Sequence, residues 1–249
     1  MDRARRLASI SCVAAAALVG AWALVTWLWQ DPFTALYTEY EQHQLTATLH
    51  HEFATYRPAP PRSPAADARQ TEAEIIAGDA RRFRLRSHRG QPIGRIIVPR
   101  MGLNMVFLNG ADEGTLEKGP GRYLGSAMPG EGKLVYIAGH RTTYLAPFSD
   151  IDQMRKGDRI TLELPYATFV YQVTGYRIVP ADDLAVLRSA GHEVLELQAC
   201  HPRFSATRRY IVYALPVRVL PRDGRAYSPT GLRPFRALAK GPSSVRTMR

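Results

Sequence analysis

Two stretches of the sequence carry residues able to do covalent chemistry. Val194–Val219 (VLELQACHPRFSATRRYIVYALPVRV) reads as two strands, VLELQA and YIVYALPVRV. The polar turn between them holds Cys200, His201, Pro202 and the Arg208–Arg209 pair. Cys200 thus falls where a strand stops and a loop begins, with guanidinium groups returning at the start of the next strand. A thiol at a strand end beside cations is placed to become a thiolate, the reactive form of cysteine. In LVYIAGHRTTY, His140 stands just past another buried-type strand, behind a glycine that lets the backbone turn tightly. If those two strands neighbour each other in one sheet, thiol and imidazole emerge at the same rim as a nucleophile and a general acid or base. Arg209 could then hold a developing oxyanion or a substrate carbonyl. Residue types alone leave other readings open, because many sheets bury a cysteine and a lone histidine is more often structural.

The elements that must position these groups follow from the rest of the chain. Ile93–Val98 and Asn104–Leu108 predict a hairpin around Pro99-Arg100-Met101-Gly102, and Asp112–Lys118 one helical turn closed by GPGRYLG. Leu134–Ala138, Arg159–Leu164 and Phe169–Val179 read as strands, with a short helix over Asp182–Ser189. Short strands at regular spacing with only small helices predict an all-β fold, a closed antiparallel barrel or a sandwich.

At 249 residues and 45% hydrophobic content the chain has room for one catalytic domain with a real core, plus extensions. The net charge of +11 is mostly arginine and suits anionic surroundings such as lipid headgroups or a phosphate-rich wall; it equally suits a solvated surface. No recognition helix, zinc-finger spacing or RNA-binding aromatic signature is present, so no nucleic-acid partner is expected. Cys12 and Cys200 are too differently placed for a disulfide, and two cysteines make no metal cluster. No metal or cofactor is expected.

Leu7 to Trp29 runs without a charged residue, long enough to span about 30 Å of hydrocarbon. Arg3, Arg5 and Arg6 before it and Asp31, Glu39 and Glu41 after it place the N-terminus in the cytoplasm. The run is long for a signal peptide, and Trp27-Leu28-Trp29-Gln30 offers no small-residue cleavage site, which favours an uncleaved anchor contacting lipid through residues 7–29. The expected organisation is therefore a cytoplasmic tip and transmembrane anchor over residues 1–30, and a juxtamembrane helix and linker over 31–91. A catalytic barrel over 92–221 and a disordered basic tail over 222–249 complete it. The helix, Pro32 to Tyr56, reads as leaving the membrane with His43, His50 and His51 solvated; Arg57 to Ala68 is a proline- and alanine-rich linker. Thr71 to Phe83 adds a short helix.

GHRTTYLAPF followed by LQACHPRFSATRR resembles the sortase family of cysteine transpeptidases, over about Pro92 to Val219. GPGRYLGSAMPG and ACHPRFSA are most similar to its class E branch. The resemblance implies a closed sortase-type β-barrel with short helices, preceded by a transmembrane helix. It implies a catalytic triad of His140, Cys200 and Arg209; Arg208 would point to the opposite face of the strand. Two departures stand out. Glu196-Leu197-Gln198-Ala199-Cys200 replaces the family's Thr-Leu-x-Thr-Cys, and Arg122 stands where histidine is frequent. Ala199 keeps the backbone N–H next to the nucleophile, and Thr142, Thr143 and Tyr144 are candidate groove residues. Tyr123 reads as packing, and Asp150 and Asp152 as residues that orient a neighbouring loop.

The implied partners are proteins bearing a C-terminal LAxTG- or LPxTG-like sorting signal, and a peptidoglycan-precursor amine. Cys200 would attack the carbonyl between threonine and glycine, and the amine would resolve the thioester. The implied location is a Gram-positive-type cell membrane, single-pass, with the catalytic domain outside. An L,D-transpeptidase fits less well, since it usually has glycine directly before its cysteine. A papain-like amidase places cysteine before histidine. A wall-binding scaffold that has lost turnover is the non-enzyme alternative.

Overall fold

The computed structural model describes residues 2–28, 32–58 and 71–229. Eight strands form one closed barrel: β1 (Pro92–Val98), β2 (Leu103–Asn109), β3 (Gly121–Arg122), β4 (Leu134–Ala138), β5 (Arg159–Glu163), β6 (Ala167–Pro180), β7 (Val194–His201) and β8 (Arg208–Pro221). Their order around the barrel is β1-β2-β3-β4-β7-β8-β6-β5. The predicted hairpin is β1 and β2, turned by a 3-10 helix over Pro99–Met101 and by Gly102 at φ 62°. That left-handed position suits glycine.

The barrel is not purely antiparallel, as its short strands suggested. β2 pairs parallel with β3, and β4 pairs parallel with β7 from Leu134↔Val194 to Ala138↔Gln198. A parallel pair needs a long crossover. Here the segment holding β5 and β6 supplies it. Alternation along β7 sends Leu195, Leu197 and Ala199 into the barrel, each 0% exposed, and leaves Glu196, Gln198 and Cys200 on the outer face. Val135, Ile137, Phe107, Phe169 and Tyr171 join the interior, also at 0%. Each leucine, valine, isoleucine or phenylalanine so buried contributes about 1.5–3 kcal/mol.

The outer face of β4, β7 and β8 carries a second apolar cluster of Leu134, Tyr136, Val194, Ile211 and Tyr213. Val186, from a 3-10 helix over Leu184–Leu187, covers it.

Among the described residues, three helices precede the barrel. α1 (Asp2–Leu28) contains a 20-residue stretch, Arg5–Leu24, of mean hydropathy 2.0 and fully exposed, long and apolar enough to cross a membrane. α2 (Pro32–Thr55) does not simply leave α1 behind; it lies on the barrel. Leu45 and Leu49 pack on Val106 and Leu108 of β2. Between them and the helix start, Gln42 Nε2 donates to Val106 O (2.9 Å) and Lys118 O (2.8 Å), while Val106 N donates to Gln42 Oε1 (2.8 Å). Lys118 also pairs with Glu41 at 3.0 Å. His43, His50 and His51 are exposed, as expected.

α3 (Glu72–Arg86) starts with a capping box between Thr71 and Glu74 and buries Ile76, Ala80 and Phe83 against the barrel. The greater part of the linker reading, residues 59–68, lies outside the described residues, as does the tail over 230–249. The segment after β8 does not leave the barrel at once. Tyr227 returns to exchange two backbone hydrogen bonds with Val219 and packs on the core.

Candidate active site

The parallel pairing of β4 and β7 makes both strands end at one rim, and β8 starts beside them. Gly139 N extends the ladder by donating to Gln198 O (3.0 Å). A Cβ at Gly139 would stand 2.9 Å from the Phe148 ring, so this position requires glycine. His140 follows. Cys200 ends β7, and Arg209 is its register partner on β8. These three side chains line one cavity of about 360 Å³, with Tyr136, Gln198, Val186 and Leu187 among its other walls.

His140 is largely enclosed, and its Nε2 is buried without a hydrogen-bond partner. Burial lowers its pKa below the ordinary imidazole value, while Glu117 and Glu113 pull in the opposite direction. A ring nitrogen so placed can take a proton, and as imidazolium give it back, without first breaking a bond. Cys200 is half-buried and free, as is the exposed Cys12. Arg209 is half-buried, and its Nη1 donates to Ala206 O (2.7 Å) and Arg208 O (3.1 Å). Those bonds anchor one arm of the fork, and a guanidinium has further donors for a substrate oxygen. Arg208 is exposed and registers with His201 instead.

The loop after His140 is tightly held. Tyr144, Leu145 and Ala146 all have positive φ (54°, 59° and 39°). Each such residue costs on the order of 1–2 kcal/mol, so its surroundings must impose it. Ala146 N donates to Thr143 O (2.8 Å) and Phe148 N to His140 O (3.0 Å). The Tyr144 ring lies 5.0 Å from the imidazole, centroid to centroid.

Arg141 points the other way and is 3% exposed. It pairs with Asp152 (2.6 Å), meets His201 Nδ1 (2.9 Å) and reaches Cys200 O (3.4 Å), bracing the loop after His140 to the end of β7. Burial, then the Arg141 charge, lowers the His201 pKa. Of the two acids read as orienting a loop, Asp152 is the one that pairs with Arg141.

Other sequence readings land elsewhere. Ala199 is fully buried in the core, so its side chain cannot meet a substrate. Thr142 and Thr143 are half-buried and do not line the cavity. Tyr123, read as packing, is 40% exposed and does line it. Arg122 is 1% exposed and serves the fold. It donates to Asn109 Oδ1 (2.6 and 3.1 Å), Tyr123 O and Ser126 O. Burial lowers its pKa to about 10. Glu117, Tyr136, Gln198 and Arg141 carried no local motif that would single them out.

A profile of the sortase domain matches residues 96–217, a span that holds His140, Cys200 and Arg209. This barrel is a sortase domain. It is 35% identical over 130 residues to Sortase D of Bacillus subtilis (strain 168), covering 50% of this chain and 63% of that protein. Sortase SrtE2 of Streptomyces coelicolor (strain ATCC BAA-471 / A3(2) / M145) is 31% identical over 109 residues, 39% of this chain and 42% of its own length. The chain thus spans less than two thirds of the length of these curated relatives. The solved structure of a Clostridium perfringens Sortase D5 transpeptidase covers 71% of this chain and 98% of its own, at 22% identity and a TM-score of 0.56, a likeness of fold. The sortase-type barrel expected from the motifs is therefore the observed fold.

Proposed function

We propose that this sortase is a membrane-anchored cysteine transpeptidase that joins proteins bearing a C-terminal sorting signal to a cell-wall amine. The observation that carries the reading is the convergence of His140, Cys200 and Arg209 on one cavity at the common end of β4 and β7. In this reading Cys200 Sγ, as thiolate, attacks the carbonyl carbon between the signal's threonine and glycine. Arg209 steadies the tetrahedral oxyanion. His140, as imidazolium carrying the proton the thiol has lost, gives that proton to the departing glycine nitrogen, the C–N bond breaks, and a thioester remains on Cys200. An amine from a peptidoglycan precursor then attacks the thioester, His140 takes the amine's proton, and the thiolate leaves. The thioester conserves the energy of the cleaved peptide bond, so the exchange needs no external energy source.

The class E stretches GPGRYLGSAMPG and ACHPRFSA favour an LAxTG-type signal, with LPxTG as the alternative. The SrtE2 relative supports that branch; the Sortase D relative keeps the neighbouring one in view. The exposed apolar stretch of α1 supports a single-pass anchor with the barrel outside the cell membrane.

Full-length protein in detergent micelles, given an LAxTG peptide and a glycine-based amine, is expected to yield a thioester and a transpeptidation product by mass spectrometry. Cys200→Ala is expected to yield neither. Folded protein with a reduced thiol that forms no adduct with LAxTG or LPxTG peptides would overturn the reading.

A further inference from the structure

The sortase domain match begins at residue 96, yet the loop that carries His140 is tied to a helix well before it. Tyr144 N donates to Thr34 Oγ1 of α2 (3.1 Å), a bond between residues 110 positions apart. The same tyrosine's hydroxyl donates to Glu117 Oε1 (3.1 Å). Glu117 is in turn held by α2, because Thr38 Oγ1 donates to Glu117 O (2.7 Å) and Thr38 is 0% exposed. Tyr144 is therefore gripped at its backbone by α2 and at its ring end by a residue that α2 also fixes. Its ring packs against the imidazole, and it opens the run of three left-handed residues.

Other ionisable groups could influence His140. Glu113 lies on the same turn as Glu117, and Tyr123, Asp183, Cys200 and Arg209 line the cavity with it. Glu117 differs from them in being coupled to His140 twice, through its charge and through Tyr144.

We propose that Glu117 and Thr34 are positioning residues for His140, holding Tyr144 from two sides so that helix α2 is a working part of the active site. The proposal rests on the reading of His140 as the acid and base of the transpeptidase. The geometry gives Thr34 a purely mechanical share and Glu117 a mechanical and an electrostatic one. A sortase fragment that lacks α2 would keep the triad residues and lose the clamp on the loop between them.

The test uses the full-length protein in micelles, with two readouts. One is turnover of the LAxTG peptide, split into kcat and KM; the other is the titration of the His140 imidazole by NMR. Tyr144→Phe and Glu117→Gln are expected to lower kcat by about 10-fold to 100-fold with KM nearly unchanged, the effect of a misplaced catalytic group. Thr34→Val is expected to lower kcat several-fold and leave the His140 midpoint where it is. Glu117→Gln removes a carboxylate that favours the imidazolium, so the His140 midpoint should fall, and Glu117→Asp should restore part of it. Thermal melts separate these effects from misfolding. Unchanged kcat in folded Tyr144→Phe and Thr34→Val, or an unmoved His140 midpoint in Glu117→Gln, would overturn the proposal. Absence of Cys200-dependent turnover in the wild type would instead sink the transpeptidase reading, while the NMR midpoint still tests the clamp.

Discussion

Cys200 and Arg209 stand directly opposite each other in the antiparallel β7–β8 pair. Nine residues of sequence and one turn bring a thiol and a guanidinium to neighbouring positions on the outer face of the barrel. The side-chain period of a strand is two, so a slip of one residue would put Arg208 there and turn Arg209 away. The long pairing of β6 with β8, from Ala167↔Pro221 to Pro180↔Arg208, holds that register from the other side.

Arg209→Ala is expected to lower kcat/KM about 100-fold or more, the usual cost of removing an oxyanion donor. Arg208→Ala should leave it within about twofold, because Arg208 is exposed and registers with His201. Steady-state turnover of the sorting-signal peptide distinguishes the two. Equal losses would mean that overall positive charge matters and the register does not.

Glu196 supplies a pH-dependent prediction. It is 2% exposed on the outer face of β7, its Oε2 has no hydrogen-bond partner, and burial raises its pKa to about 9, against an opposing pull from Arg177. The folded carboxyl thus keeps its proton through a window in which the unfolded chain, with a value near 4.5, has released it. Between those values the unfolded state binds fewer protons, so stability falls as pH rises. Glu196→Gln should match the wild type near pH 4 and exceed it at pH 7, by on the order of 3 kcal/mol. Denaturant melts at the two pH values check this, and a constant difference between the proteins would refute it.

Gln42 is the polar pin of α2. Gln42→Leu removes three hydrogen bonds and leaves the N–H and C=O of Val106, a residue 0% exposed, without partners. The expected loss is about 1–3 kcal/mol of stability. Urea unfolding of the full-length protein measures it; no change in midpoint would show that α2 is held by its leucines alone.

Much of this architecture could be read from the residues. Leu134–Ala138 as a strand is the observed β4, and VLELQA and YIVYALPVRV fall within β7 and β8, because period-two patterning and flanking glycines and polar turns mark strand ends. Whether β4 and β7 are neighbours, and parallel, depends on pairing across residues 139–193, which no local pattern encodes. The docking of α2 was hidden for another reason. Its buried face mixes Thr38 and Gln42 with Leu45 and Leu49, so polar residues that satisfy barrel backbone look in sequence like solvated ones. Arg122 and Arg141 mislead in the same way, since each is almost wholly enclosed by oxygen and ring partners. At the other end of the molecule, Tyr227 looked like part of a tail because one bridge and one half-buried ring leave no periodic trace.

Closure of the sheet also dictates how this surface can hold a peptide. All eight strands have two neighbours, even where the seam at β3 is only two residues wide. Among the described residues the barrel has no open edge strand, so an extended polypeptide finds no free strand edge to pair with as a ninth. Whatever threads past Cys200 must be gripped by side chains and loop backbone alone. In the proposed reaction such a grip suits an acyl donor that has to be released after one bond is exchanged, and the same closure leaves two copies of the described barrel no open strand by which to zip together.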